Sequence, residues 1–121
     1  MANPVMHFEI HGSDGPKLRK FYTQLFGWKI DANNPMEYGI VTKEGEGIAG
    51  GVCQSPAAPK VTVYVAVPDL KASLRKAEGL GGRTLMEPHV VPGGPEIALF
   101  EDPQGNTIGL VRGETATEAQ S

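Results

Sequence analysis

The sequence predicts an α+β domain built from two βαβββ modules, and three observations lead to that class. Sixteen glycines and ten prolines among 121 residues fall in small clusters between apolar runs, which is typical of short elements joined by tight turns. Apolar residues alternate at period two in several runs and follow helical spacing in two others. The same order of elements then occurs twice along the chain.

Composition and charge limit the class of protein. Hydrophobic residues make up 40% of the chain and the formal net charge is −3, which predicts one folded domain without a nucleic-acid-binding surface. No apolar run reaches the ~20 residues of a membrane-spanning helix, and the first residues lack a secretory signal. Cys53 is the only cysteine, so no disulfide forms within the chain. We therefore expect a cytoplasmic domain that binds neither nucleic acid nor membrane.

The first module covers residues 5–54. Residues 5–11 alternate as a strand, with His7, Glu9 and His11 on one face. A helix follows to Phe26, capped by Ser13 or Asp14 and ended by Gly27. Further strands are predicted at 28–31, 36–42 and 48–54. The apolar helix residues are expected in the core: Phe21, Tyr22, Leu25 and Phe26.

The second module covers residues 60–112 and completes a single domain over 1–112, followed by a polar tail at 113–121. Its strand at 61–67 places Thr62 and Tyr64 on one face. Asp69 caps its helix, which ends at 79–82, and strands follow at 84–87, 96–101 and 107–111. His89 is expected in an exposed loop. A shift of 55 residues carries Asp14 to Asp69 and His7 to Thr62, which indicates an internal duplication.

Several motifs together resemble the vicinal oxygen chelate superfamily, which includes glyoxalase I, bleomycin-resistance proteins and ring-cleaving dioxygenases. In the first module they are His7-Phe8-Glu9-Ile10, Asp14 and the run from Leu18 to Trp28; in the second they are Val67-Pro68-Asp69-Leu70, Gly81-Gly82 and Asp102-Pro103-Gln104-Gly105-Asn106. The resemblance covers residues 5–111. It implies a curved, partly open eight-stranded sheet, the glyoxalase-like fold, in which the two modules enclose a cup.

The resemblance also implies where metal ligands would stand. The first position falls on His7, the third on Thr62 and the fourth on Gly109. The second falls on Gln54 by the 55-residue shift, with Val52 as the alternative. Glycine has no side chain and a neutral hydroxyl is a poor ligand for such metals. We therefore expect a degenerate metal site in which His7 is the candidate ligand; no cofactor is predicted, and a divalent metal is the alternative.

The inward faces are expected to bind a small organic molecule. The residues expected to contact it are His7, Glu9, Tyr38, Gln54, Thr62 and Tyr64. Glu9 is the candidate catalytic residue, as a general base in a metal-free enzyme, or it fixes the tautomer of a neighbouring histidine. His11 is expected at the rim or surface, and Cys53 as a small packed residue.

Two main functions follow from these expectations. The first is a binding protein similar to the bleomycin-resistance branch, which holds its ligand without a metal. The alternative is a metal-dependent lyase or dioxygenase that uses His7 with ligands outside the family set, on a divalent metal. The resemblance also implies a homodimer, since short two-module members of this superfamily commonly pair.

Overall fold

The computed structural model describes residues 2–34 and 37–113. Met36, which begins one predicted strand, and the tail from residue 114 lie outside the described residues. Within those residues the chain forms eight strands and two helices, and the predicted α+β class is confirmed. The elements are β1 (Val5–Gly12), α1 (Gly15–Phe26), β2 (Ile30–Asp31), β3 (Gly39–Val41), β4 (Ala49–Gln54), β5 (Lys60–Val67), α2 (Leu70–Gly79), β6 (Arg83–Val90), β7 (Glu96–Glu101) and β8 (Thr107–Arg112).

The chain divides within β1 and β5 into two compact units. One unit is His7–Thr62; the other contains the residues up to Met6 and those from Val63 onward. In the first, the strand order is β2-β3-β4-β1, with β1 and β4 parallel and the other pairs antiparallel. The second has the equivalent order β6-β7-β8-β5, with β5 and β8 parallel. The predicted βαβββ repeat is therefore present.

Both helices begin at the predicted aspartate caps. The Asp14 carboxylate accepts a hydrogen bond from the backbone N–H of Lys17 at 3.1 Å, and Asp69 accepts one from Ala72 at 3.0 Å. Each bond satisfies a backbone donor that the first turn leaves without an intrahelical partner. Gly27 ends α1 with φ 72°, a conformation that costs glycine little. Among the described residues, no helix has the length and apolar character to cross a membrane.

Each unit packs its helix on one face of its strands. In the second unit the buried residues Val67, Leu70, Leu74, Ala98 and Leu110 form one apolar core. In the first unit Tyr22 stacks on Trp28, with 5.3 Å between ring centroids, and the Phe8 ring lies 5.4 Å from Trp28.

The prediction that all four apolar residues of α1 lie in the core is wrong for three of them. Phe21 is 55% exposed, and Leu25 and Phe26 are each 57% exposed. The buried residue of α1 is Gly15, in its first turn, where the helix approaches the end of β4 closely. Of the later apolar positions of the helix, Leu18 and Tyr22 are half-buried and the other three stay open to solvent.

The strand β6 is longer than predicted and includes His89, which pairs with Ile97 instead of lying in a loop. The pairing with β7 shifts register between Met86 and His89. Proline has no backbone N–H for the ladder, so an irregularity of this kind accommodates Pro88 inside a strand. His89 is exposed, as expected.

Replacing Leu74, which is 0% exposed, by alanine should lower the free energy of unfolding by about 2–5 kcal/mol, because it removes buried methyl groups and leaves a cavity. Leu80→Ala is the matched control, since Leu80 is 72% exposed, and we expect a change within about 0.5 kcal/mol. Urea unfolding followed by circular dichroism measures both. Equal losses in the two variants would contradict the assigned core.

Candidate functional site

The register between β1 and β4 decides which side chains share a face in the first unit. Glu9 lies opposite Gly51 and His11 lies opposite Cys53. Because side chains alternate along a strand, these residues and His7 point away from α1, whereas Val52 and Gln54 point toward it. We call the side of β1 and β4 that carries His7, Glu9, His11, Gly51 and Cys53 the polar face.

A chain of hydrogen bonds runs along the polar face. The Tyr38 hydroxyl donates to Glu9 Oε2 at 3.0 Å and lies 3.0 Å from His7 Nε2. Because the hydroxyl has one proton, which it gives to Glu9, its oxygen accepts from His7 Nε2–H. His11 Nε2 lies 2.9 Å from Glu9 Oε1 and donates to that carboxylate. Glu9 thus accepts hydrogen bonds from both sides.

A glycine on β4 makes room for the Tyr38 hydroxyl. A Cβ atom at Gly51 would overlap the hydroxyl of Tyr38, so only glycine lets the phenol reach both His7 and Glu9. Asn34 holds the tyrosine backbone from both sides: its amide nitrogen donates to the Tyr38 carbonyl at 2.7 Å and its amide oxygen accepts from the Tyr38 N–H at 2.9 Å.

The second unit contains a similar pairing of tyrosine with glycine. Tyr64 on β5 lies opposite Gly109 on β8, and a Cβ atom at Gly109 would overlap the Tyr64 ring. Tyr64 is buried, as is Thr62 two residues earlier on the same strand. Within the described residues, the Thr62 hydroxyl has no hydrogen-bond partner.

Comparison of the two registers corrects the expected position of Gln54. Paired residues of β1 and β4 are forty-two positions apart, as His7 and Ala49, whereas those of β5 and β8 are forty-five apart, as Tyr64 and Gly109. A constant shift of 55 residues therefore no longer aligns the two modules beyond the helix. Gly51, and not Gln54, is the first-unit counterpart of Gly109.

Gln54 has a different structural role. Its side-chain oxygen accepts a hydrogen bond from the backbone N–H of Gly15 at 3.0 Å, which joins the end of β4 to the start of α1. The alternative residue, Val52, is on the same helix-facing side and is fully buried. Neither side chain lies on the polar face with His7.

The residues at the family's ligand positions do not fit its metal chelate. Two of the four are glycines, Gly51 and Gly109, and tyrosine side chains occupy the space above them. A third, Thr62, offers a neutral hydroxyl. Only His7 carries a donor of the usual kind, and its Nε2 is hydrogen-bonded to Tyr38. No catalytic step through such a chelate follows from these side chains.

Burial changes the acid–base properties of two groups on the polar face. Burial lowers the pKa of His7 below its usual 6.5, and the nearby Glu9 carboxylate opposes this by raising it. Burial, assisted by the charge of Glu9, raises the pKa of the Cys53 thiol to about 11. His7 is therefore neutral at physiological pH and Cys53 is a thiol, because each charged form would lose hydration.

The structure thus brings together three of the six residues expected to bind a ligand: His7, Glu9 and Tyr38. It adds two that were not expected to take part. His11 was expected at the rim or surface, yet its side chain is only 17% exposed and bonded to Glu9. Cys53 is buried, as expected, but it lies on the polar face beside His11.

Replacing Glu9 by glutamine should lower the pKa of His7 further, because it removes the carboxylate that favours the imidazolium and leaves the effect of burial. In the parent chain the His7 midpoint should already lie below 6.5. Nuclear magnetic resonance titration of the imidazole C–H signals measures both values, with signals assigned through His7→Gln. A midpoint that rises in Glu9→Gln would contradict the assigned electrostatics.

The comparisons with known proteins agree with this architecture. A family model described as a glyoxalase-like domain matches residues 7–111. A protein named as a glyoxylase, CFP32 of Mycobacterium tuberculosis, is 30% identical over 112 residues, which cover 84% of this chain and 42% of that protein. The chain therefore spans less than half the length of this relative.

Two solved structures have the same fold. A hypothetical protein from Bacillus halodurans, BH1468, aligns with TM-score 0.71 and 14% identity over 93% of this chain and 96% of its own. Methylmalonyl-CoA epimerase from Mycobacterium tuberculosis aligns with TM-score 0.66 and 17% identity over 93% of this chain and 91% of its own. These two structures share the fold, and the family model that matches residues 7–111 shows that the chain belongs to the glyoxalase-like domain family of the vicinal oxygen chelate superfamily.

Proposed function

We propose that this chain binds a small organic molecule on its polar face through His7, Glu9 and Tyr38, with a degenerate form of the family's metal site. The observation that carries the proposal is the Tyr38 hydroxyl, which bridges His7 and Glu9 above Gly51. The three side chains are linked by hydrogen bonds and are held on β1 and on the segment just before β3, so they form an oriented set of donors and acceptors before a ligand arrives.

The chemistry of these side chains favours a ligand that carries oxygen atoms. Neutral imidazole, phenol and carboxylate together offer donors and acceptors that match carbonyl, hydroxyl and carboxylic groups. Two of the family's ligand positions are glycines beneath tyrosine side chains, so hydrogen bonding takes the place of the usual chelate. The epimerase among the structural neighbours is named for an acyl-CoA thioester, and this makes acyl-CoA thioesters a reasonable class to test first.

A thermal-shift screen should find ligands among small oxo acids, dicarboxylic acids and acyl-CoA thioesters, methylmalonyl-CoA included. Compounds that raise the melting temperature are then measured by isothermal titration calorimetry. Tyr38→Phe should weaken binding by about tenfold, because a polar group of the ligand loses its partner while the ring stays in place. Tyr22→Phe is the matched control, since Tyr22 packs against Trp28 on the helix side. The affinity of this variant for the ligand should match that of the parent chain.

Two results would contradict this proposal: no compound in the screen binds, or affinity is the same in Tyr38→Phe, Glu9→Gln and the parent chain. Incubation of each ligand in deuterated water separates binding from turnover. Exchange of the carbon-bound proton next to a carbonyl, lost in Glu9→Gln, would assign Glu9 as a general base. Ligand recovered without exchange supports a binding protein.

We also propose that the chain forms a homodimer. The apolar residues left open on α1, Phe21, Leu25 and Phe26, support the proposal because a cluster of this kind favours association. Sedimentation equilibrium at micromolar concentration should give twice the 12.9 kDa mass of one chain, and Phe21→Glu should shift the mass toward the monomer. A parent chain that sediments as a monomer would contradict the proposed dimer.

We also propose a cytoplasmic location. The free thiol of Cys53 is compatible with a reducing compartment.

A further inference from the structure

Three side chains of the polar face form a second cluster next to the His7–Tyr38 pair. Glu9, His11 and Cys53 each contribute one potential metal-binding atom, and these atoms all lie within 4.8 Å of one another. The side chains of Glu9 and His11 are only 18% and 17% exposed, and Cys53 is buried. The cluster therefore differs from a surface group of acidic residues, which water solvates fully.

The backbone holds this cluster in place. Glu9 and His11 are two residues apart on β1, where the ordinary separation of side chains is ~6.5–7 Å. Their polar atoms nevertheless meet at 2.9 Å. The parallel register places Cys53 directly opposite His11 on β4, so convergence of the three groups follows from one strand pair.

One ring nitrogen of His11 has no hydrogen-bond partner within the described residues. His11 Nε2 is bonded to Glu9, and the buried Nδ1 has no hydrogen-bond partner within the described residues. When Nε2 carries the proton, Nδ1 presents a lone pair. Nε2 is the nitrogen that faces Glu9, so an ion shared with that carboxylate would bind Nε2, and the ring proton would then be carried by Nδ1.

We propose that Glu9, His11 and Cys53 bind a divalent cation of the zinc type. Sulfur, imidazole nitrogen and carboxylate oxygen are the three donor types that Zn²⁺ takes in proteins, at about 2.0–2.3 Å. Tetrahedral coordination at those lengths needs donor atoms roughly 3.3–3.8 Å apart, and the three atoms here lie within 4.8 Å of one another. The sulfur and nitrogen donors select against Mg²⁺ and Ca²⁺, which take oxygen ligands.

This site is separate from the chelate that the resemblance implies. His7 is the one residue of the family's ligand set that carries an imidazole here, and it is not a member of the cluster. The proposed site uses one position of β4, Cys53, that lies two residues beyond Gly51. Three protein ligands leave a fourth coordination position for water or a ligand atom.

The test uses the full untagged chain, because an affinity tag of histidines would itself bind the metal. Isothermal titration with Zn²⁺ should show one bound ion per chain. Titration with Co²⁺ should produce the near-ultraviolet absorption of a thiolate–cobalt bond. Cys53→Ser should abolish that absorption, and both Cys53→Ser and His11→Gln should weaken Zn²⁺ binding by at least about tenfold.

Two histidine variants serve as controls. His89→Gln removes an exposed imidazole on β6 and should not change the affinity for Zn²⁺ by more than about twofold. His7→Gln removes an imidazole that reaches Glu9 through Tyr38, so it should weaken Zn²⁺ binding less than His11→Gln does. Circular dichroism confirms that each variant is folded. If Cys53→Ser does not fold, two other measurements test the proposal. They are the Zn²⁺ affinity of His11→Gln and the thiolate absorption of the parent chain loaded with Co²⁺.

The proposal is overturned if Zn²⁺ does not bind, if the cobalt complex lacks thiolate absorption, or if binding depends on His7 and not on His11. These outcomes differ from failure of the proposed ligand binding, which is measured through Tyr38→Phe and needs no zinc. A chain that binds zinc without an organic ligand, or the reverse, therefore separates the two proposals.

Discussion

The parallel register of β1 against β4 is the constraint on which the rest of the first unit depends. It places Glu9 beside Gly51 and His11 beside Cys53, and alternation then assigns these residues to the face away from α1. A slip of one residue would send the polar groups toward the aromatic residues that pack on the helix. Phe8 and Val52 prevent that slip, because they would then leave the apolar side.

The sequence predicts the local features well because their physical signals are local. The face shared by His7, Glu9 and His11 follows from alternation along one strand, and the starts of both helices follow from Asp14 and Asp69. The position of Gln54 could not be predicted in this way, since it depends on how β4 aligns with β1. That alignment is decided by intervening segments whose length differs by three residues between the modules.

The same contrast between local signals and the alignment of distant strands explains the other differences between prediction and structure. Helical spacing places Phe21, Tyr22 and Leu25 on one face of α1, but it carries no information about where the strands end, and only Tyr22 is half-buried. His89 reads as a loop residue because Pro88 precedes it, whereas a register shift lets β6 continue. Cys53 is buried, as the sequence predicts, but its position beside Glu9 and His11 depends on the pairing of β1 with β4.

Under the proposed degenerate metal site, two tyrosines lie above two glycines at positions that the resemblance assigns to metal ligands. In each unit the strand that would carry a metal ligand has glycine, and an aromatic side chain fills the space. The substitution is coupled: a larger residue at Gly51 and the hydroxyl of Tyr38 exclude each other. Restoring a carboxylate at Gly51 would therefore displace the phenol that joins His7 to Glu9.

The hydrogen bond between Gln54 and Gly15 has a consequence for how such a module can change over evolution. It fastens the first turn of α1 to the end of β4, and this joint involves no residue of the hairpin between β3 and β4. That hairpin can gain or lose residues while β1 and β4 keep their alignment, whereas the connection between β2 and β3 has to keep Asn34 and Tyr38 in place. New binding specificities can then arise from changes in that loop alone, while the side chains of the polar face stay the same.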